Sequence, residues 1–258
     1  MRSSTTVRNS RPAIRIWAVL VWLIAWQAAA MAVGRDFLLA SPLTVVVRFF
    51  ELAATAQFWR AALYSLCRIL AGFLLGAAAG AAAAGLSARF VRFRELIAPL
   101  WAVLRAIPVA SFVIVALIWI PSRNLSVLIS FLIVFPVLYA ETSAEIARTD
   151  PQLREMARLF GMRPGRRLLY LYALPALRNM GPACASAMGL AWKSGVAAEL
   201  ISIPSGSIGE RLYQAKVYLM TGDLFAWTIL IILLSAGCAR LFIALMRAAA
   251  AKIEGVRL

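Results

Sequence analysis

Side chains able to engage a phosphate, a carboxylate or a partner protein are concentrated in REMARLFGMRPGRRLLYLYALP, residues 154–175. This stretch holds five arginines and one glutamate between two apolar runs. Other ionisable groups stand singly within apolar sequence: Arg68, Arg105, Lys193 and Arg240, with Glu141 and Glu199 the nearest acids. Histidine is absent, which removes HExxH zinc sites, His-based nucleophile triads and His proton relays. Cys67, Cys184 and Cys238 lie far apart in separate apolar runs with no CxxC pair. That pattern reads as small core side chains, neither a metal site nor a disulfide framework. No GxxxxGK followed by Ser or Thr occurs, so nothing in the chain is built to cradle nucleotide phosphates. The expectation is no catalytic constellation, no metal and no cofactor held by this chain.

The elements that must position these groups follow from composition. Of the 258 residues 63% are apolar and mean hydropathy is +0.83, well above the roughly half-apolar usage of soluble domains. The excess comes in runs of about twenty residues, the length that crosses a hydrocarbon core of roughly 30 Å. The reading is an all-α integral membrane protein with six transmembrane helices. The expected spans are 16–33, 61–86, 96–120, 125–144, 180–201 and 224–246, the last five within a core of 61–247. Residues 1–15 and 248–258 are expected as tails, and 34–60 as a segment with a short interfacial helix opened by Ser41–Pro42. The first run carries Trp17, Trp22 and Trp26 and is long for a leader's apolar core, so it is read as a retained span.

The formal charge of +16 does not point to nucleic acid, because the basic residues punctuate the ends of apolar runs. Most Lys and Arg fall in the N-terminal tail, the 87–95 loop, the 146–178 loop and the C-terminus. The positive-inside rule therefore places those segments and both termini in the cytoplasm. In the second span Gly72, Gly76, Gly80 and Gly85 recur at four- and five-residue spacing, which lets helix backbones approach closely. That stripe, together with the lack of any internal repeat, predicts a homodimer.

A charge at mid-bilayer costs about 2.5–3.5 kcal/mol, so each one inside a span needs a partner or an aqueous cavity. Arg105, Lys193 and Glu199 are the candidate pathway charges. Lys193 and Glu199 stand six residues apart, which puts them on different faces of a straight helix and argues against a direct ion pair. After Glu199 the stretch SIPSGSIG, residues 202–209, resists regular helix. Non-helical backbone at membrane depth is tolerated only where protein covers it or it lines water, and Ser205, Gly206 and Gly209 lie in this stretch.

The arginine-rich segment has a readable local structure. Asp150 followed by Pro151 is an N-cap and first-turn pair. Leu153, Met156, Ala157 and Phe160 fall on one helical face, and Gly161 is placed to end the helix in the left-handed conformation. Pro164–Gly165 turns the chain into a second short helix from about Arg166, which Pro175 is expected to break.

Glu155, Ala157, Gly161, Leu174 and Pro175 together resemble the cytoplasmic signature of ATP-binding-cassette importer permeases: Glu-Ala-Ala, three residues, Gly, nine residues, Ile, one residue, Leu-Pro. Met156 replaces an Ala, and the distance from Gly161 to Pro175 is one residue longer than that consensus, an excess assigned to Pro164–Gly165. The stretches LASPLTV (39–45), SLCRILAGFLLG (65–76), LRAIP (104–108) and AWKSGVAAEL (191–200) are similar to the nitrate/sulfonate/taurine permease group. The resemblance runs from about residue 38 to the C-terminus.

The resemblance implies a type I importer permease fold in the cell inner membrane, with coupling helices at about 150–173. Glu155, Met156, Ala157, Gly161, Leu174 and Pro175 would couple to a cytoplasmic ATPase dimer, which binds the ATP and Mg. An external solute-binding protein would deliver the solute, and the 202–209 stretch would form a periplasmic gate. Arg68 and Arg105 stand where the family often has Arg, which favours scaffolding. The implied solute is a sulfonate, taurine, nitrate or similar anion; a thiamine-pyrimidine-type precursor is the alternative. An integral membrane enzyme is disfavoured by the missing His and the missing acid pairs. A non-transporting membrane scaffold is the remaining alternative and predicts no ATPase partner.

Overall fold

The computed structural model describes residues 16–35 and 38–255. The basic tail 1–15, with Arg2, Arg8, Arg11 and Arg15, and the last three residues of the C-terminal tail lie outside the described residues. Helices α1 (Ile16–Val33), α2 (Pro42–Ala53) and α3 (Ala56–Arg89) come first. The Ser41 hydroxyl accepts from the Thr44 N–H at 3.2 Å and caps α2, and Thr55 does the same for α3 by accepting from Phe58. Next come α4 (Val91–Ala106), α5 (Val109–Ala116) and α6 (Ser122–Ala147). The arginine-rich segment forms α7 (Pro151–Leu159), α8 (Pro164–Leu168), a π-helical turn (Leu169–Ala173) and α9 (Leu174–Asn179). Helices α10 (Gly181–Ser202), α11 (Ile208–Val217) and α12 (Thr221–Gly255) complete the chain, with no strand among the described residues.

Four helices are long and apolar enough to cross a bilayer by themselves: α1, α3, α6 and α12. The expected fifth span, 180–201, falls on α10, which is not among these four, and the expected third, 96–120, is not one helix. It is divided between α4 and α5, which bend by 103° at their junction. Pro108 causes the break: it lacks an N–H and drives the preceding residue out of the α region. Ile107 accordingly sits at φ −66°, ψ 123°. Pro99 and Pro136, by contrast, lie inside helices that continue past them.

The glycine stripe of the second span has a different use from the one expected. Gly72, Gly76 and Gly80 face α6, and a Cβ on Gly76 would stand 2.9 Å from the Val134 Cβ. At Gly72 it would meet the Ser130 Cβ at 2.7 Å and the Val127 carbonyl. These three glycines therefore serve packing within the chain, while Gly85, the last of the stripe, is exposed with nothing within 4 Å.

Helix α10 packs against α3, α6 and α12. Its Ala187, Met188, Ala191 and Trp192 are buried with Phe58, Phe73 and Trp227 in the main core. The Phe58 and Trp227 rings lie 4.7 Å apart, and Phe242 meets Phe73 edge-on. At one end of the bundle Arg48 on α2 clamps Asp223 on α12 through two hydrogen bonds of 2.8 and 3.1 Å. Bonds to Asp223, and then to Glu51, raise Arg48 above the ordinary arginine value, so the clamp stays charged.

Candidate coupling segment and gate at the two ends of the bundle

Helix α7 begins where Asp150 accepts from the Gln152 N–H at 2.8 Å, with Pro151 in the first turn. It ends in a Schellman motif: Met162 N–H donates to Ala157 and Gly161 N–H to Arg158, both at 3.0 Å. Gly161 takes φ 62°, a value that costs an L side chain about 1–2 kcal/mol. Between these caps only Ala157 turns inward. Leu153 and Met156 are half exposed, and Leu159 and Phe160 are each 81% exposed. The segment thus offers an apolar face that nothing in the described chain covers, with Glu155 exposed beside it.

Beyond Gly161 the chain turns at Pro164, but Pro175 does not break the following helix. The π turn at Leu169–Ala173 runs into α9, in which Pro175 occupies the first turn. A π turn opens the helix by one residue and moves the carbonyls that a proline ring would otherwise strike. It also takes up a single extra residue.

Two polar contacts tie α9 to the spans. Asn179 Nδ2 donates to Glu145 Oε1 at 2.5 Å, and Arg178 donates to Glu254 on α12 at 2.8 Å. Glu145 is buried and also pairs with Arg148. Sequence reasoning missed Glu145, because its partner is 34 residues away and no local pattern marks the pairing.

At the far end of α10, about 33 Å along a helix of 22 residues, a second constellation forms. Glu199 is fully buried. Its Oε2 accepts from the Ser65 hydroxyl on α3 at 2.6 Å and from the Gly209 N–H on α11 at 3.3 Å. Ser65 Oγ in turn accepts from the Ile208 N–H at 2.9 Å. Ser65 thus joins three elements, and it too was missed by sequence reasoning. Glu199 Oε1 and the Ser126 hydroxyl are buried without a hydrogen-bond partner among the described residues.

The stretch 202–209 is less irregular than its composition suggests. Only 203–207 is non-helical, and Gly209 lies in the first turn of α11. Ser207, also buried, caps α11 by accepting from Glu210 at 3.0 Å. Ser205 and Gly206 form the exposed turn, and the Gly206 N–H donates to Glu210. A Cβ on Gly209 would collide with the Glu199 backbone and stand 2.5 Å from the Leu200 nitrogen. Glycine is what permits α11 to seat against α10.

Among the described residues none of the remaining charges forms an ion pair with Glu199, though Arg68 is near enough to act on it electrostatically. Arg105 lies at the end of α4 with its guanidinium 4.6 Å from the Trp101 ring centre. Lys193 is exposed on α10 and makes no ion pair among the described residues. Arg68 hydrogen-bonds the Arg123 carbonyl and Asn124 Oδ1 and lies over the Tyr64 ring. It fastens α3 to the start of α6.

Comparison with known proteins adds the family. The model for binding-protein-dependent transport system inner membrane components matches residues 72–255. A putative aliphatic sulfonates transport permease protein of Escherichia coli (strain K12) is 30% identical over 84% of this chain and 84% of its own length. Its namesake in Bacillus subtilis (strain 168) is 29% identical over 81% and 76%. A riboflavin transport system permease protein of Chloroflexus aurantiacus is 29% identical over 71% and 69%.

Proposed function

We propose a mechanism for this chain, which belongs to the binding-protein-dependent transport system inner membrane component family and is an ABC transporter permease. In this mechanism α7 docks into a cytoplasmic ATPase dimer that binds ATP and Mg, and the α8–α9 segment carries its motion into α6, α10 and α12. The observation that carries the reading is the uncovered face of Leu153, Met156, Leu159 and Phe160, held rigid between an Asp150 cap and a Schellman end. Burying such a face stabilises a complex at roughly 25 cal/mol per Å² of apolar surface. Glu155, Met156, Ala157, Gly161, Leu174 and Pro175 are the coupling residues. Both termini lie in the cytoplasm, and two copies of the chain enclose the pathway.

The Glu199–Ser65–Gly209 node is the closed state of a gate facing the external binding protein, with Ser205 and Gly206 at its exposed turn. An under-satisfied buried carboxylate favours the departure of α11, because opening lets water reach Glu199 Oε1.

The solute is a small anion of the sulfonate, taurine or nitrate type. Similarity to two aliphatic sulfonate permeases supports this, as does the charge of Lys193, without an ion pair among the described residues, with Arg105 as a weaker second. A preorganised positive charge lowers the barrier to an anion crossing a low-dielectric space. The riboflavin permease relative keeps a neutral heterocycle, such as a thiamine-type pyrimidine, as the second reading. Uptake should be measured in proteoliposomes holding the chain, its genomic-neighbour ATPase and the neighbouring binding protein, with alkanesulfonate and pyrimidine offered in parallel. Sulfonate uptake that requires ATP supports the anion reading; pyrimidine uptake alone overturns it.

A further inference from the structure

We propose that the end of the bundle bearing α7–α9 holds a binding site for the phosphate headgroup of an anionic lipid. Two cavities adjoin there. One, of about 540 Å³, lies between α3, α4 and α6, with Arg94, Trp101 and Tyr139 in its lining. The other, of about 580 Å³, lies between the end of α3 and the α7–α8 segment, with Arg89, Arg158 and Arg167 around it. Ala88, Ile146 and Arg154 line both, so the two cavities are neighbours across these side chains.

No Asp or Glu lines either cavity. Among the described residues none of the five arginines has a carboxylate within ion-pair distance. Yet α3, α4, α7 and α8 converge to present them to these neighbouring cavities. Like charges gathered this way repel, and an array that only fixed topology would be free to spread over the loop. Planar guanidinium forks match phosphate oxygens bidentately. The volumes suit a ligand of headgroup size, and basic pockets between membrane helices take such headgroups. A free phosphate would meet the same arginines. The wall of Trp101, Ile146, Leu168 and Tyr172 favours the lipid, whose glycerol and first acyl carbons it would cover.

This site is independent of the transport reading, because occupancy requires neither solute nor ATPase. The test titrates the detergent-solubilised full chain with short-chain phosphatidylglycerol, short-chain phosphatidylcholine and inorganic phosphate. The variants are Arg89→Gln with Arg158→Gln, and Arg247→Gln, which removes one charge from exposed α12 outside the cavities. Phosphatidylglycerol should bind in preference to phosphatidylcholine and weaken about fivefold per cavity arginine removed, with Arg247→Gln unchanged. Should the double variant fail to elute as folded protein, Arg167→Gln alone gives the same comparison. Equal binding of both lipids, or equal weakening by Arg247→Gln, overturns the site. Inorganic phosphate binding as tightly as phosphatidylglycerol overturns the lipid as its occupant.

Discussion

Single residues set both ends of the molecule, but not all of them were visible beforehand. Gly161 was legible because an apolar-periodic stretch followed by glycine has few other readings, and its φ of 62° bears out that local rule. Glu199 and Gly209 stood out as unusual residues, yet their partner Ser65 did not. A serine in an apolar helix carries no signal until the fold brings a carboxylate to it from 134 residues away. Replacing Ser65 with Ala removes one donor to Glu199 and leaves the Ile208 N–H unpaired. That should cost about 1–3 kcal/mol, read as a lowered thermal unfolding midpoint of the solubilised chain. An unchanged midpoint would mean that the node does not hold α11.

Elements were predicted well where the pattern was local. The capped helix α7, the helix α2 opened by Ser41–Pro42 and the long apolar helices α1, α3, α6 and α12 follow from caps and run lengths. Two features escaped because they depend on backbone detail. Pro108 breaks its helix whereas Pro99 and Pro136 do not, a difference invisible in the prolines themselves. The π turn at 169–173 hides inside an ordinary-looking LLYLYA stretch and lets helix continue through Pro175. For α7 the prediction is direct: Gly161→Pro demands φ near −65° where the motif needs +62°. It should abolish co-purification of the ATPase while the chain still inserts in the membrane. Glu155→Lys, which reverses a charge on the same exposed helix, should do the same. Retained co-purification in both would separate α7 from the ATPase.

At the scale of the whole molecule, composition alone established a helical membrane protein, because hydropathy sums over many residues and tolerates local error. Quaternary structure was harder to read. The glycine stripe looked like a surface for a second copy, but small residues at helical spacing fit any close helix pair, and here α6 takes Gly72, Gly76 and Gly80. For the proposed homodimer, mass photometry of the reconstituted complex should count two permease chains. Solute charge also belongs to this scale, since a pathway field sums over every chain that encloses the pathway. Lys193→Met should reduce alkanesulfonate uptake while leaving ATPase activity and assembly intact. Unchanged uptake would leave Lys193 as scaffolding.

The central claim is that energy enters this chain through the exposed apolar face of α7. Its most direct measurement is affinity co-purification of the neighbouring ATPase with the chain carrying Leu159→Asp and Phe160→Asp, followed by ATP-driven uptake in proteoliposomes. Both side chains are 81% exposed, so the exchange should leave the permease folded and inserted. The account predicts that the ATPase is lost and uptake falls to background. An ATPase that still co-purifies, with uptake at the level of the unmodified chain, would contradict it.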